Sequence, residues 1–451
     1  MRNSERNRIT TLISFLGLFI LAPLSSAAAN DVIVYGGVGN LGRDAQPCLA
    51  RMYESEHDGF RPFTDDINSH IRDVLARTDV TPGNEGIIVT ADQLYDAVAA
   101  DGFEFDERPS QDDIKEFLED NEEHLYVLAI VGTFEAYYQL PIASSEATFR
   151  EFYIVGVSAI LVQIAGDIPG QIVLAGTALT EGQLTRTEDF PGNASAFCSA
   201  DNAMWPDSLG NLVAVYKDAA ERAIANLSAK REKADEGVDS IIVTGAQIGS
   251  EKISDLFGVV PTSSTSVCNQ PNPCPDGASD CQDLVGLLAF GTTDAFSARG
   301  YLAVPPLNWS SWGKTAQYQA TKNVRLTGGR REINEVITVN VGPDSADMKL
   351  VPSISKYAAV GKPAGTGGTF KDLFMAWLEV PWYETEYGKC ETVNDSGLFV
   401  PKKNSYKPVS LVRALRASDD PALPVGIQRA YSLAAVMAAL GGLRKSLDEA
   451  E

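Results

Sequence analysis

Three long apolar runs, Leu125 to Leu140, Phe149 to Ala165 and Gln171 to Thr180, constrain this chain more than any other feature. They are rich in Val, Ile, Tyr and Phe, the side chains that fit a pleated surface. Gly166-Asp167 and Pro169-Gly170 separate the last two, so the spacing predicts a meander of long antiparallel strands with a hairpin closed at GDIPG. In the middle run Tyr153, Val155, Val157, Ala159, Leu161 and Gln163 alternate with Ile154, Gly156, Ser158, Ile160, Val162 and Ile164. Both sets are largely apolar, as expected of a central strand covered on both faces.

Around the meander the signals are shorter. DVIVYGG reads as a strand ending at Gly36 and Gly37, and GIIVT as another ending at Thr90. Ile67, Ile71, Val74 and Leu75 share one side of an expected helix from Phe63 to Ala76. Residues 91–100 and 110–123 also read as helices, the second with Ser110 and Asp113 as a capping pair. After the meander, Asp207 is placed to cap a long helix carrying Leu209, Leu212, Val213, Tyr216, Ala220, Ala223, Ile224 and Leu227 at helical spacing. The charged AKREKADEG is expected to separate it from a strand, DSIIVTG.

The second half is less regular. Leu284 to Phe290 and Glu335 to Val341 read as strands, residues 361–369 as a Gly-rich loop, and Ile427 to Leu447 as a C-terminal amphipathic helix. The fold class expected is α+β, with mixed or antiparallel sheets and helices packed on one face. Two domains are expected, 30–258 with the meander and 283–451 with the final helix, joined by a Cys-rich linker at 259–282. The order of elements allows a duplicated unit, although the halves share no self-similarity at residue level.

Residues 1–29 have the form of a secretory leader: Arg2, Arg6 and Arg8, then an apolar core from Ile13 to Leu24, then Ala27-Ala28-Ala29. No Cys follows the core and no Arg pair precedes it, so export unfolded, without a lipid anchor, is expected. The formal charge is −23; the leader holds three Arg and one Glu, so the chain after it carries −25. Such a surface repels nucleic acid and anionic lipid. No later stretch reaches the roughly 18 apolar residues of a membrane helix. An exported chain favours disulfides among Cys48, Cys198, Cys268, Cys274, Cys281 and Cys390. Six Cys allow about 15 connectivities. No C-x-x-C pair and no neighbouring His suggests zinc.

The order of elements over 31–245, with VLAIVGTFEAYY and then YIVGVSAILVQIAGDIPGQIVLAGTALTEG, resembles periplasmic domains of the curli-secretion-channel family. It is also similar to the N-terminal domain of the Tol-system propeller protein and to related outer-membrane assembly and flagellar-ring proteins. Channel members carry a lipidated Cys at the mature N-terminus, which this chain lacks. The resemblance implies scaffolding or protein–protein contact in the envelope, periplasmic or secreted, and transfers no catalytic residues.

The remaining motifs point to no cofactor, metal or catalytic set. Gly37, Gly39 and Gly42 form G-x-G-x-x-G after a strand, but Pro47 interrupts the helix a dinucleotide site needs, so a Gly-rich turn is expected. Trp312-Gly313-Lys314-Thr315 lacks the leading Gly of a phosphate loop, since Asn308 stands there. Ser353-Ile354-Ser355-Lys356 matches S-x-x-K without its companions. Asp276, Asp280 and Asp283 lack the EF-hand spacing and read as a solvated turn. His57, His70 and His124 are the available imidazoles, and nothing pairs one with a nucleophile. One cluster offers a different function: Trp309, Trp312, Trp377 and Trp382 beside Tyr383, Tyr387, Glu379, Glu384 and Glu386. Aromatic faces stack on sugars and paired carboxylates cleave glycosidic bonds, so these Trp are candidate contacts for a glycan, for peptidoglycan or for a partner, and equally a core. The sequence therefore favours a non-enzymatic envelope protein that works through protein contacts, with glycan binding or hydrolysis as the alternative.

Overall fold

The computed structural model describes residues 31–39, 48–49, 61–81, 86–89, 124–141, 148–165, 172–187, 205–233, 240–243, 245–260, 274–275, 279–304, 348–363, 369–384, 405–406, 409–417 and 423–449. The fold is α+β, as expected. The first sheet contains β1 (Asp31–Gly39), β2 (Gly86–Val89), β3 (His124–Pro141), β4 (Phe149–Ala165) and β5 (Ile172–Arg186), in the order β2-β1-β3-β4-β5. β1 runs parallel to β2 and β3, whereas β3, β4 and β5 form the antiparallel meander. β4 is central, and its residues from Tyr153 to Val162 are buried whichever way they point.

Helices α1 (Arg61–Leu75) and α2 (Trp205–Lys233) cover one face of this sheet. Their apolar stripes meet Tyr126, Leu128, Tyr153, Val155 and Leu161 in one core. Gly176 on β5 lets α2 come close: a Cβ there would stand 2.2 Å from the Ala223 carbonyl oxygen. α2 departs from expectation at both ends. Asp207 lies in its first turn rather than before it, and the helix continues through Ala229-Lys230-Arg231-Glu232-Lys233. Those are helix-favouring residues, so charge alone does not end it.

The second sheet repeats the plan of the first. Its strands are β6 (Ser240–Val243), β7 (Gln247–Ile248), β8 (Leu302–Val304), β9 (Met348–Leu350), β10 (Ser353–Pro363), β11 (Thr369–Glu384), β12 (Ser405–Tyr406) and β13 (Val409–Ala417). β9 and β10 act as one strand interrupted at Val351-Pro352, because Leu350 faces Trp382 and Ser353 faces Glu379 in a single antiparallel register with β11. β12 and β13 likewise share one register on the other side of β11. β6 and β7 run parallel to β9 and β10, and β6 also runs parallel to β8. Taken this way, the order β8, β6/β7, β9/β10, β11, β12/β13 reproduces β2-β1-β3-β4-β5 in sequence and direction. The helices follow suit. α4 (Ser279–Ser297) lies between β6 and β8 in the chain, as α1 lies between β1 and β2, and α5 (Val425–Glu449) follows β13 as α2 follows β5. A short helix, α3 (Glu251–Phe257), precedes α4 and closes on Gly258 at φ 68°.

Two expectations for this half are corrected. Leu284 to Phe290 is the middle of α4, not a strand. The last four positions of the expected linker, 279–282, are its first turn, which also places Asp280 and Asp283 on a helix rather than in a turn. The expected helices over 91–100 and 110–123 and the expected strand Glu335 to Val341 lie outside the described residues. So does the GDIPG turn, although β4 and β5 pair as its hairpin requires.

Helices cover both faces of the first sheet rather than one, because α4 and α5 lie between the sheets. One core joins Phe134, Ile154 and Leu179 of the first sheet to Leu284, Leu288 and Phe290 of α4, Val436 and Leu440 of α5, and Ile354, Phe374 and Leu378 of the second sheet. The order of layers is helices, sheet, helices, sheet. Among the described residues no helix is long and apolar enough to cross a membrane.

Candidate functional site

Three places in the molecule hold groups beyond plain packing. The first lies between the first sheet and α2. Glu151 on β4 is fully buried, and its Oε1 accepts a hydrogen bond from the Tyr137 hydroxyl at 2.7 Å. Its Oε2 accepts from the Tyr153 hydroxyl at 2.6 Å, Arg186 Nε at 3.0 Å and Ser208 Oγ at 3.0 Å. Gln139 donates onward to the Tyr137 hydroxyl at 2.5 Å. Burial, reinforced by the carboxylate, raises both phenols, so they stay protonated and donate. A carboxylate taken out of water needs this many partners. Its oxygens are all engaged, which makes the cluster a strut tying the far ends of β3, β4 and β5 to the first turn of α2.

Glu135, on the same face of β3, is the second. It accepts the backbone N–H groups of Cys48 at 2.9 Å and Leu49 at 2.8 Å, and the Tyr216 hydroxyl of α2. Burial lifts its carboxyl to about 7, against the pull of those three donors. Cys48 is itself in a disulfide, so a buried acid fixes the start of a cross-linked segment to the sheet.

The third is the back of the second sheet, the face away from α5. Inward residues Tyr357, Phe374 and Ser410 meet α5, through Tyr357 with Ser432 at 2.6 Å, Phe374 stacked on Tyr431 at 5.2 Å, and Ser410 on the Ala435 carbonyl. Alternation then sends their neighbours outward. Cross-strand rows form there: Lys356, Trp377 and Val409 in one, and Ala358, Met375 and Leu411 in the next. Val360 pairs with Leu373 in a third. Val409 is 55% exposed, Leu411 47% and Val360 37%. Five large apolar side chains are this exposed among the described residues, and three of them share this one face. Lys356 sits with Nζ 5.0 Å over the Trp377 ring, a cation–π contact at the rim.

Of the four Trp expected to form a contact cluster, Trp377 and Trp382 share β11, whereas Trp309 and Trp312 lie outside the described residues. Trp377 is half-buried on the open face. Cys274 and Cys281 form a disulfide, and no cysteine among the described residues is free. Cys198, Cys268 and Cys390 lie outside them. His70 meets Glu221 at 3.2 Å on the outer helix layer, His124 packs by Tyr126 at the start of β3, and His57 lies outside the described residues. Asp280 pairs with Arg429 of α5, and burial together with the Asp280 charge holds Asp283 well above the ordinary range. No group of metal ligands occurs among the described residues. Of the expected Gly-rich turn, Gly37 lies at a bulge inside β1, while Gly42 and Pro47 lie outside the described residues. Gly37 adopts φ 81° where the register with β3 shifts, and the strand continues to Gly39.

Sequence reasoning missed both buried carboxylates. Glu135 and Glu151 sit at alternate positions within apolar strands, and that placement was the available signal. The chain matches no protein-family profile and no curated protein.

Proposed function

We propose that this is an exported, non-enzymatic protein of the bacterial envelope that acts through protein–protein contacts, as a scaffold or assembly factor. The open apolar back of the second sheet carries the reading. Val360, Val409 and Leu411 stand in water on a rigid three-stranded surface, and a contiguous exposed apolar patch marks an interaction site. The leader over 1–29 and the resemblance of residues 31–245 to envelope scaffolds agree with it. The glycan reading has less support. Lys356 already covers a face of Trp377, and of the carboxylates expected beside the Trp residues, Glu379 shares β11 with Trp377 while Glu386 lies outside the described residues. Affinity purification of the protein from its own envelope after mild crosslinking, with a Leu411→Glu variant in parallel, tests the reading. A stoichiometric envelope protein recovered with the wild type and lost with the variant is the expected result. Recovery of glycan fragments, or of nothing, overturns it.

A further inference from the structure

Both sheets have a back, and among the described residues helices fill only one of them. On the first sheet, Phe134, Ile154 and Leu179 are sealed by α4 and α5, helices that belong to the second unit. The fit is close: a Cβ at Gly286 of α4 would fall 2.5 Å from the Phe134 ring, and Phe290 lies 5.8 Å from it. The second sheet has the same strand order and directions, so its back is the topological counterpart of that sealed surface. It presents Val360, Leu373, Met375, Trp377, Val409 and Leu411, and no described element of this chain packs on them as α4 and α5 pack on the first sheet. Its charge also departs from the rest. Among the described side chains on its outward positions, the charged ones are Lys356 and Lys371 against Glu379, on a chain of −23.

Resting on the contact function above, we propose that this back face docks an amphipathic α-helix with acidic flanks from a partner protein, in the place α4 and α5 occupy on the first sheet. The helix lays its apolar stripe across the rows of β10, β11 and β13, and its carboxylates meet Lys356 and Lys371 at the rim. A second copy of this chain is a poorer occupant. Its outer helix layer presents Asp65, Asp66, Asp73 and Asp218, which suit the lysines but offer no apolar stripe to the rows between them.

The test places the photocrosslinking residue p-benzoylphenylalanine at Leu411, and separately at Asp218 of the outer helix layer, in the full chain expressed in its own cell. Adducts are isolated and the crosslinked segment sequenced by mass spectrometry. The expected result is one adduct at position 411, absent at 218, whose segment shows apolar residues at helical spacing flanked by Asp or Glu. Lys356→Glu with Lys371→Glu should lower its yield about tenfold, while an unchanged melting curve shows the fold intact. An adduct to this chain itself, to lipid, or to a segment of alternating strand pattern overturns the proposal, as does no adduct at 411. A partner recovered by the affinity experiment but crosslinked elsewhere leaves the contact function standing and removes the helix docking alone.

Discussion

The two sheets have one connectivity and opposite fates. In the first, β3 and β4 are largely buried on both sides, β5 is buried as far as Thr180, and the β5 edge is closed there by side chains. Asn226 of α2 donates to the Thr177 carbonyl at 2.7 Å, Arg222 to that of Leu179 at 3.0 Å, and Ser297 of α4 accepts the Thr177 N–H at 2.9 Å. Arg222 then meets Asp294 of α4 at 3.6 Å, and Arg444 of α5 meets it at 3.7 Å. Three helices from two layers thus converge on one acid, which burial raises despite the two arginines. In the second sheet the same layout is sealed, among the described residues, by helices on one side alone. A shared plan therefore does not give equal solvent exposure. Position in the stack decides which sheet is core and which is surface.

Substitutions on the two backs should separate them most widely. Phe134→Ala empties a site between β3 and α4 and should cost about 3–5 kcal/mol in denaturant unfolding. A loss under about 1 kcal/mol would mean that α4 does not seal this face. Gly286→Ala asks the same question from the helix side. Its new methyl meets the Phe134 ring, and overpacking of about 1–3 kcal/mol should appear as a lowered melting temperature.

The buried acid of the first unit, Glu135, gives a pH signature that its own substitution isolates. Glu135 is raised from 4.5 to about 7 in the folded chain, so folding takes up a proton. The stability linked to that proton is complete below the unfolded value and is lost as pH rises through the folded one. Between pH 4.5 and about 7 the wild type should therefore lose up to about 3 kcal/mol relative to Glu135→Gln. Parallel stability–pH curves for the two proteins would refute the assignment. The smallest effect belongs to the open back: Leu411→Ala should change stability by no more than about 0.5 kcal/mol, because the side chain is already half in water. A larger loss would show that something of this chain covers it.

Legibility in the sequence followed the same contrast. β4 is legible to the residue and α1 and α5 to within two, because each is long and bounded by clear punctuation, Gly166 after β4 and Pro424 before α5. α4 was misread as a strand because it lies between two sheets. LVGLLAF is apolar on every side, so the 3.6-residue period vanishes, and a short apolar run buried all round looks the same in helix and strand. The repeated strand order was hard to see for a related reason. Val351-Pro352 splits β9 from β10, and the gap between β12 and β13 splits the last strand, so single long strands of the first unit return as fragments. The open back was partly visible, since Trp377 was marked as a contact residue. Val409 and Leu411 were not, because an apolar residue in a strand is read as inward until a register assigns its face.

Thiol labelling of the two backs in the native protein tests the central claim most directly. Single Cys replacements at Leu179, under α4, and at Leu411, on the outer face of β13, are exposed to a maleimide reagent with and without denaturant. The account predicts that position 411 labels at once in the folded protein and position 179 only after unfolding. Equal labelling, or protection at both, would contradict a stack in which one sheet is sealed by helices and its counterpart is left open.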